Sequence, residues 1–342
     1  MKWLGKIALA VCVPLLALSL LEVAVRVYAH LASQERLITA DSVLGWKLVP
    51  GAKQMYRKEE QPYFVAINSK GLRDREHSYD KPPEVFRIVV LGTSYVFGAG
   101  GVEASDRFTD ILERSAKNVE VINMGVPAYS TDQEYLYLKT EGLKYHPDLV
   151  IFSAVFGDYN GSFSTINPAI GRPKGYFSLS GGRLVFHPPT FSGFYELAQR
   201  SYVLGLADLA LTKISGVYRK AMRQRRDVLD LPTRFQVLKQ LYASAGDLCR
   251  QQGSEFVVVY FPFRGQNGKG AIQQVIDDLA ATEGMKTFDL MDTMLQINTT
   301  KPAYFAHDIH FNEYGHQVAA KALLDYLVNN ALLNPATSQA AK

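Results

Sequence analysis

Phe86-Arg87-Ile88-Val89-Val90-Leu91-Gly92-Thr93-Ser94 decides how this chain is read. The run from Ile88 to Leu91 is apolar without alternation, as in a strand covered on both faces of a parallel sheet. It stops at Gly92, where a turn begins. Working outward, a helix is expected at about 106–116 and a second strand at 119–122. Thr131, with Glu134 three residues on, reads as a capping box that opens the next helix. That helix is expected to run to Pro147-Asp148, and 149–155 is a third buried strand. Residues 161–230 break the rhythm with Gly171, Pro173, Gly181-Gly182 and Pro188-Pro189, then a basic helix around Arg219 to Arg226. A stretch this long between strands reads as an inserted lid or subdomain rather than a loop. The alternation resumes with helices at 235–252 and 271–282 around a strand at 256–261, the second helix closed by Gly284. A short strand at 286–290 and a helix at about 312–330 complete it. Strands alternating with helices predict a mostly parallel sheet with helices on both faces.

The flanks say less about fold and more about place. Residues 33–85 show turn signals and no strong periodicity, with a short hairpin expected from Tyr63 to Ile67 and a turn at Ser69-Lys70-Gly71. Before them, Lys2 and Lys6 precede an apolar run from Ile7 to Leu21, followed by Glu22 and a second mostly apolar stretch carrying Arg26 and His30. No A-x-A cleavage pattern stands near the end of this segment before Ser33, so a signal anchor is expected rather than a cleaved signal. Extended past Glu22, the run approaches the roughly 20 residues of a membrane span. An amphipathic or buried helix of the folded domain is the alternative. Lysines at the start predict that the remainder lies outside the cytoplasm.

Composition excludes several classes. Of 342 residues, 47% are hydrophobic and 20% charged, with a net charge of +4 and no basic block interleaved with aromatics, which argues against a nucleic-acid surface. Two cysteines, Cys12 in the apolar run and Cys249 in an expected helix, give neither a disulfide framework nor metal spacing. Chemistry therefore has to come from oxygen and nitrogen groups.

In open α/β sheets such groups gather at the carboxyl ends of strands. Those ends carry Gly92-Thr93-Ser94, Asn123-Met124-Gly125 and Phe156-Gly157-Asp158-Tyr159-Asn160, while His307-Asp308-Ile309-His310 precedes the last helix. No G-x-S-x-G elbow occurs, which argues against the ordinary α/β-hydrolase fold.

These segments resemble, in order, the blocks of the SGNH/GDSL hydrolases. Gly92-Thr93-Ser94 through Gly98 is similar to the nucleophile block, normally Gly-Asp-Ser. Asn123 to Ala128 is similar to the block with the oxyanion glycine, and Asp308-x-His310 to the one that supplies the base and its carboxylate. Ile67 to Arg73 resembles the lead-in of membrane-anchored members near polysaccharide gene clusters. The resemblance spans about 42–330. It implies a flavodoxin-like three-layer α/β/α domain, with Ser94 as nucleophile, His310 as base and Asp308 orienting it. The oxyanion candidates are the N–H groups of Ser94 and Gly125, with Gly157 and Asn160 at the third block. There the sequence departs from the family: Thr93 replaces Asp, and Gly157 stands where an Asn amide is normal. A serine hydroxyl needs a base to become a nucleophile, which is why a His with its own carboxylate is the partner to look for. Other readings stay open. Ser94 can be a turn serine, and His307, Asp308 and His310 can be metal ligands with His316 as a further one.

The expected organisation is a signal anchor at 1–32, a juxtamembrane segment at 33–85, the α/β domain at 86–334 with its insertion at about 161–230, and a tail at 335–342. The resemblance implies an esterase or O-acyltransferase needing no cofactor or metal. Its expected place is the inner membrane, single-pass, with the domain in the periplasm or outside the cell. Its expected partners are an acylated carbohydrate or other ester, the membrane, and a polysaccharide-secretion apparatus, but no nucleic acid. A member that binds glycan, or scaffolds such an apparatus, without turnover is the alternative.

Overall fold

A computed structural model of the chain describes residues 2–57, 60–167, 169–214, 229–266 and 268–333. It opens with helix α1, Lys2–Leu31. Two small hairpins follow: β1 (Ile38–Asp41) pairs antiparallel with β2 (Gly45–Leu48), and β3 (Lys53–Tyr56) with β4 (Tyr63–Ala66). The strand expected near Tyr63 is therefore present, but it pairs backward onto β3. The turn at Ser69-Lys70-Gly71 is instead organised by the Asn68 side chain, whose oxygen accepts the N–H groups of Lys70 and Leu72 at 3.0 and 2.9 Å.

Strands β5 (Phe86–Gly92), β6 (Val119–Gly125) and β7 (Leu149–Val155) come next, then a hairpin of β8 (Tyr176–Ser180) and β9 (Arg183–His187), then β10 (Glu255–Phe261) and β11 (Lys286–Asp289). The central sheet runs β6-β5-β7-β10-β11, and every neighbouring pair in it is parallel. Numbered within the sheet, that is 2-1-3-4-5, the flavodoxin-like order. Successive side chains point to opposite faces of a strand. Val89 and Leu91 of β5 accordingly join a core with helices Thr131–Thr140, Leu231–Gln251 and Ala271–Glu283. Ile88 and Val90 join a second core with helices Phe108–Arg114, Met291–Asn298 and Glu313–Asn329. Two cores separated by one sheet make three layers.

Residues of the small hairpins, Trp46 and Val65 among them, are buried in the first core beside Val89 and Phe152. The middle segment packs there too, through Phe177 of β8. Its hairpin turns at Gly181-Gly182, with φ of 55° and 76°, a conformation at both positions that favours glycine. Helices Gly193–Arg200 and Tyr202–Ile214 follow. The basic stretch Arg219 to Arg226 and the tail 335–342 lie outside the described residues.

Two helix ends differ from expectation. The helix after β6 is capped at Ser130, one residue before Thr131, without a side-chain cap bond. Both Glu134 carboxylate oxygens are buried without a partner, so there is no capping box. That helix also stops at Thr140, and a 3₁₀ turn, Gly142–Tyr145, carries the chain to Pro147. The break falls at Glu141, whose φ of −134° leaves the helical region.

Among the described residues one helix is long and apolar enough to cross a membrane, over Leu9–Leu31 with a mean hydropathy of 2.1, and it is exposed along most of its length, with Ala29 buried near its end.

Candidate active site

Sheet order determines where a site can form. β5 is flanked by β6 on one side and β7 on the other, so the chain leaves β5 at the topological switch point, where open α/β sheets bind ligands. Ser94 is the second residue past β5 and the first of a one-turn helix, Ser94–Phe97. As the first helical residue, its N–H has no carbonyl to bond within the turn. The helix sits tight on β6. A Cβ on Gly125 would lie 2.3 Å from the Phe97 nitrogen, and one on Gly92 would lie 2.0 Å from Ser153 Oγ. Only glycine fits at either position.

His310 reaches this turn from the loop before helix Glu313–Asn329. Its Nε2 lies 2.7 Å from Ser94 Oγ, and its Nδ1 bonds Asp308 Oδ1. The same carboxylate oxygen accepts the His310 backbone N–H at 2.8 Å, which fixes the loop geometry. These partners assign the tautomer: Nδ1 carries the proton toward Asp308, leaving Nε2 to accept from the serine. The hydrogen bond from His310, against some burial, holds the Asp308 carboxyl below its usual range. The loop is tied down further by Tyr95, whose hydroxyl donates to the Ile309 carbonyl at 2.7 Å and whose ring lies 4.9 Å from the imidazole.

The other expected residues are placed less simply. Gly125 N–H donates to Asn123 Oδ1 at 3.0 Å. That carboxamide is itself held by donation to the Val96 carbonyl at 2.7 Å and to Thr109 Oγ1 at 2.8 Å. The Gly125 donor is therefore already engaged. Gly157 is exposed, with helical backbone angles and nothing within 4 Å of a would-be Cβ. It brings no side-chain donor. Asn160 belongs to the turn Asp158–Gly161, but its side chain lies outside the described residues. Thr93 is buried, and its Oγ1 has no partner. His316 is turned away from His307 and His310; its Nδ1 accepts the Phe108 N–H at 3.1 Å, and burial depresses its pKa to about 3.

The role of one group escaped the sequence reading, and a second, Asp158, appeared in it only as part of a strand end. Arg73, buried behind the site, donates to the carbonyls of Phe97, Gly98 and Val102 at 2.7, 2.9 and 2.8 Å and so holds the loop after the Ser94 turn. Its position in the lead-in segment was the available signal. Asp158 is fully buried and accepts the Val155 N–H at 2.8 Å, next to buried Glu134 and the buried Lys174–Asp132 pair. No local pattern marks that cluster, because its members come from three separate stretches of chain.

No protein-family model matches the chain, and no curated protein matches it. Solved structures do. The chain is similar to a putative lipolytic protein of the G-D-S-L family from Desulfitobacterium hafniense DCB-2 at 11% identity, over 70% of this chain and 99% of that one, with a TM-score of 0.41. It is similar to the lipase/acylhydrolase from Enterococcus faecalis at 14% identity, over 72% of this chain and 97% of that one, with a TM-score of 0.41. It is also similar to a catalytic mutant of an acetylxylan esterase from Geobacillus stearothermophilus at 12% identity, over 73% and 97%, with a TM-score of 0.42. At these identities the likeness is one of fold.

Proposed function

We propose that this chain is a serine-nucleophile esterase or O-acyltransferase of SGNH type. Its proposed substrates are ester-linked acyl groups, most naturally those of an envelope or extracellular polysaccharide. The supporting observation is the continuous bonded chain Ser94–His310–Asp308, with 2.7 Å between the serine oxygen and Nε2. In this reading Ser94 Oγ attacks the ester carbonyl as its proton moves to Nε2, and Asp308 stabilises the imidazolium. His310 then returns the proton to the departing alkoxide, leaving an acyl-enzyme for water or a sugar hydroxyl to discharge. The Ser94 N–H faces the developing oxyanion, and the Gly125 N–H joins it on release or sharing of its bond to Asn123. The apolar helix Leu9–Leu31 serves as a signal anchor, with the α/β domain in the periplasm or outside the cell.

Hydrolysis and transfer share every one of these steps up to the acyl-enzyme. The test is to supply a labelled acetyl ester together with a deacetylated oligosaccharide. Label on the oligosaccharide assigns transfer, label in free acetate assigns hydrolysis, and label in neither contradicts both.

One observation favours a second reading, in which the chain binds glycan without turnover. The Gly125 donor is engaged and Gly157 supplies no side-chain donor, so the oxyanion site is sparse. That reading predicts glycan binding unaffected by Ser94→Ala and no acyl-enzyme in the native chain.

A further inference from the structure

Helix α1 does not stand clear of the folded domain. Glu22, well inside it, accepts the N–H groups of Tyr202 and Val203 at 2.9 and 3.0 Å and the Ser201 hydroxyl at 2.8 Å. It thereby caps helix Tyr202–Ile214 from another element. Arg26 bonds Glu22 and the Arg200 carbonyl, both at 2.7 Å. The inserted helices are thus fastened to α1 at the level of Glu22. From Lys6 to Glu22 the helix rises only about 24 Å, short of the roughly 30 Å hydrocarbon core. For α1 to span with Lys6 at the inner boundary, Glu22 lies about 6 Å below the outer edge of that core, with Val25 and Ala29 close to that edge, so the inserted helices bonded to Glu22 meet the outer leaflet. Phe194, Leu197 and Leu206 of the inserted helices, and Val27 of α1, are large apolar residues exposed on these elements. In water they are a liability, whereas at a membrane surface they are buried.

Between α1 and these helices lies a cavity of about 1120 Å³, above the roughly 300–1,000 Å³ of ordinary small-molecule sites. Val25 and Ala29 of the membrane helix line it together with Leu206, and so do Arg36 and Arg172. The two arginines converge on one residue: Arg36 donates to the Gln199 carbonyl at 2.9 Å and Arg172 to the Gln199 side-chain oxygen at 3.2 Å. Their other bonds go to backbone carbonyls and tyrosine hydroxyls, which are neutral. Two carboxylates share the lining, Glu35 and Asp208. Glu35 is engaged elsewhere, by His30 at 2.7 Å and the Lys53 N–H at 2.6 Å.

We propose that this cavity holds one glycerophospholipid of the outer leaflet, its phosphate between Arg36 and Arg172 and an acyl chain along Val25, Ala29 and Leu206. Guanidinium groups bind phosphate oxygens in a fork geometry that lysine lacks, and basic pockets beside membrane helices suit lipid headgroups. The lipid would fix the inserted subdomain against the bilayer. The proposal does not depend on Ser94 or on any turnover.

The test uses the full chain reconstituted in nanodiscs of phosphatidylglycerol, phosphatidylethanolamine and diacylglycerol, then released into a phosphate-free detergent for native mass spectrometry. One retained phospholipid per chain is expected, favoured over diacylglycerol by roughly tenfold or more, since losing contacts to a charged group weakens binding by about that factor. Arg172→Gln should remove that preference. Equal retention of diacylglycerol, no retained lipid, or displacement of the lipid by inorganic phosphate alone would each overturn the proposal. The competition is read on the native chain, so it decides the matter even if the variant misfolds.

Discussion

At the scale of single residues, the meeting of Ser94, His310 and Asp308 was legible, because a serine hydroxyl used as a nucleophile calls for a histidine with its own carboxylate, and the sequence offered one such pair before the last helix. The oxyanion site was not. Whether Gly125 N–H is available depends on the rotamer of Asn123, two residues away, which is set by Val96 and Thr109 on neighbouring elements. Gly157 offers the sharper test. Its φ of −64° and ψ of −25° suit any residue, and the space around it is open. Gly157→Asn should therefore fold normally. Placing an amide beside the developing oxyanion should raise kcat on a short-chain ester by about tenfold or more, since removing such a donor elsewhere costs 100- to 1000-fold. An unchanged or lower kcat in a folded variant would show that position 157 does not face the reacting carbonyl.

At the scale of elements, the period of the apolar pattern located the five sheet strands well, because buried parallel strands have no polar side to blur them. Helix ends were harder. The Thr131–Glu134 pattern matches a capping box, yet Glu134 is drawn into the interior beside Asp158, and tertiary placement overrides the local preference. Burial first, then the Asp158 charge, pushes the Glu134 carboxyl well above its ordinary value, and burial does the same to Asp158. A carboxyl raised in the fold keeps a proton that the unfolded chain gives up near pH 4.3. Its contribution to stability is thus complete below about that pH and is lost as pH rises toward the folded value. Glu134→Gln removes this loss. The variant should gain stability on the wild type as pH goes from about 5 to 8, reaching about 1–3 kcal/mol, the scale of one unsatisfied buried group. Thermal melts across that range check it, and a difference independent of pH would mean that Glu134 is already ionised in the fold.

At the scale of the whole molecule, alternation of strands and helices implied the layers, and the observed strand order puts Ser94 at the switch point between β6 and β7. What the sequence hid is how the flanking pieces join that body. Residues 33–85 lack periodicity because their strands are four residues long, yet they bury Trp46 and Val65 in the main core. The docking of α1 by Glu22 was likewise invisible, since its partners lie 179–181 residues away. If α1 spans the bilayer, attachment rests on apolar burial rather than charge. The full chain should then stay in the membrane pellet after high-salt and alkaline carbonate washes, and release by either wash would mean that α1 lies on the surface.

The central claim is an activated serine, and the most direct measurement is covalent labelling of the full-length chain in detergent by a fluorophosphonate, followed by peptide mapping. One labelled residue is expected, Ser94, with labelling and ester turnover both reduced about a thousandfold or more by Ser94→Ala or His310→Ala. Failure of the folded native chain to label, or turnover that survives Ser94→Ala, would contradict it.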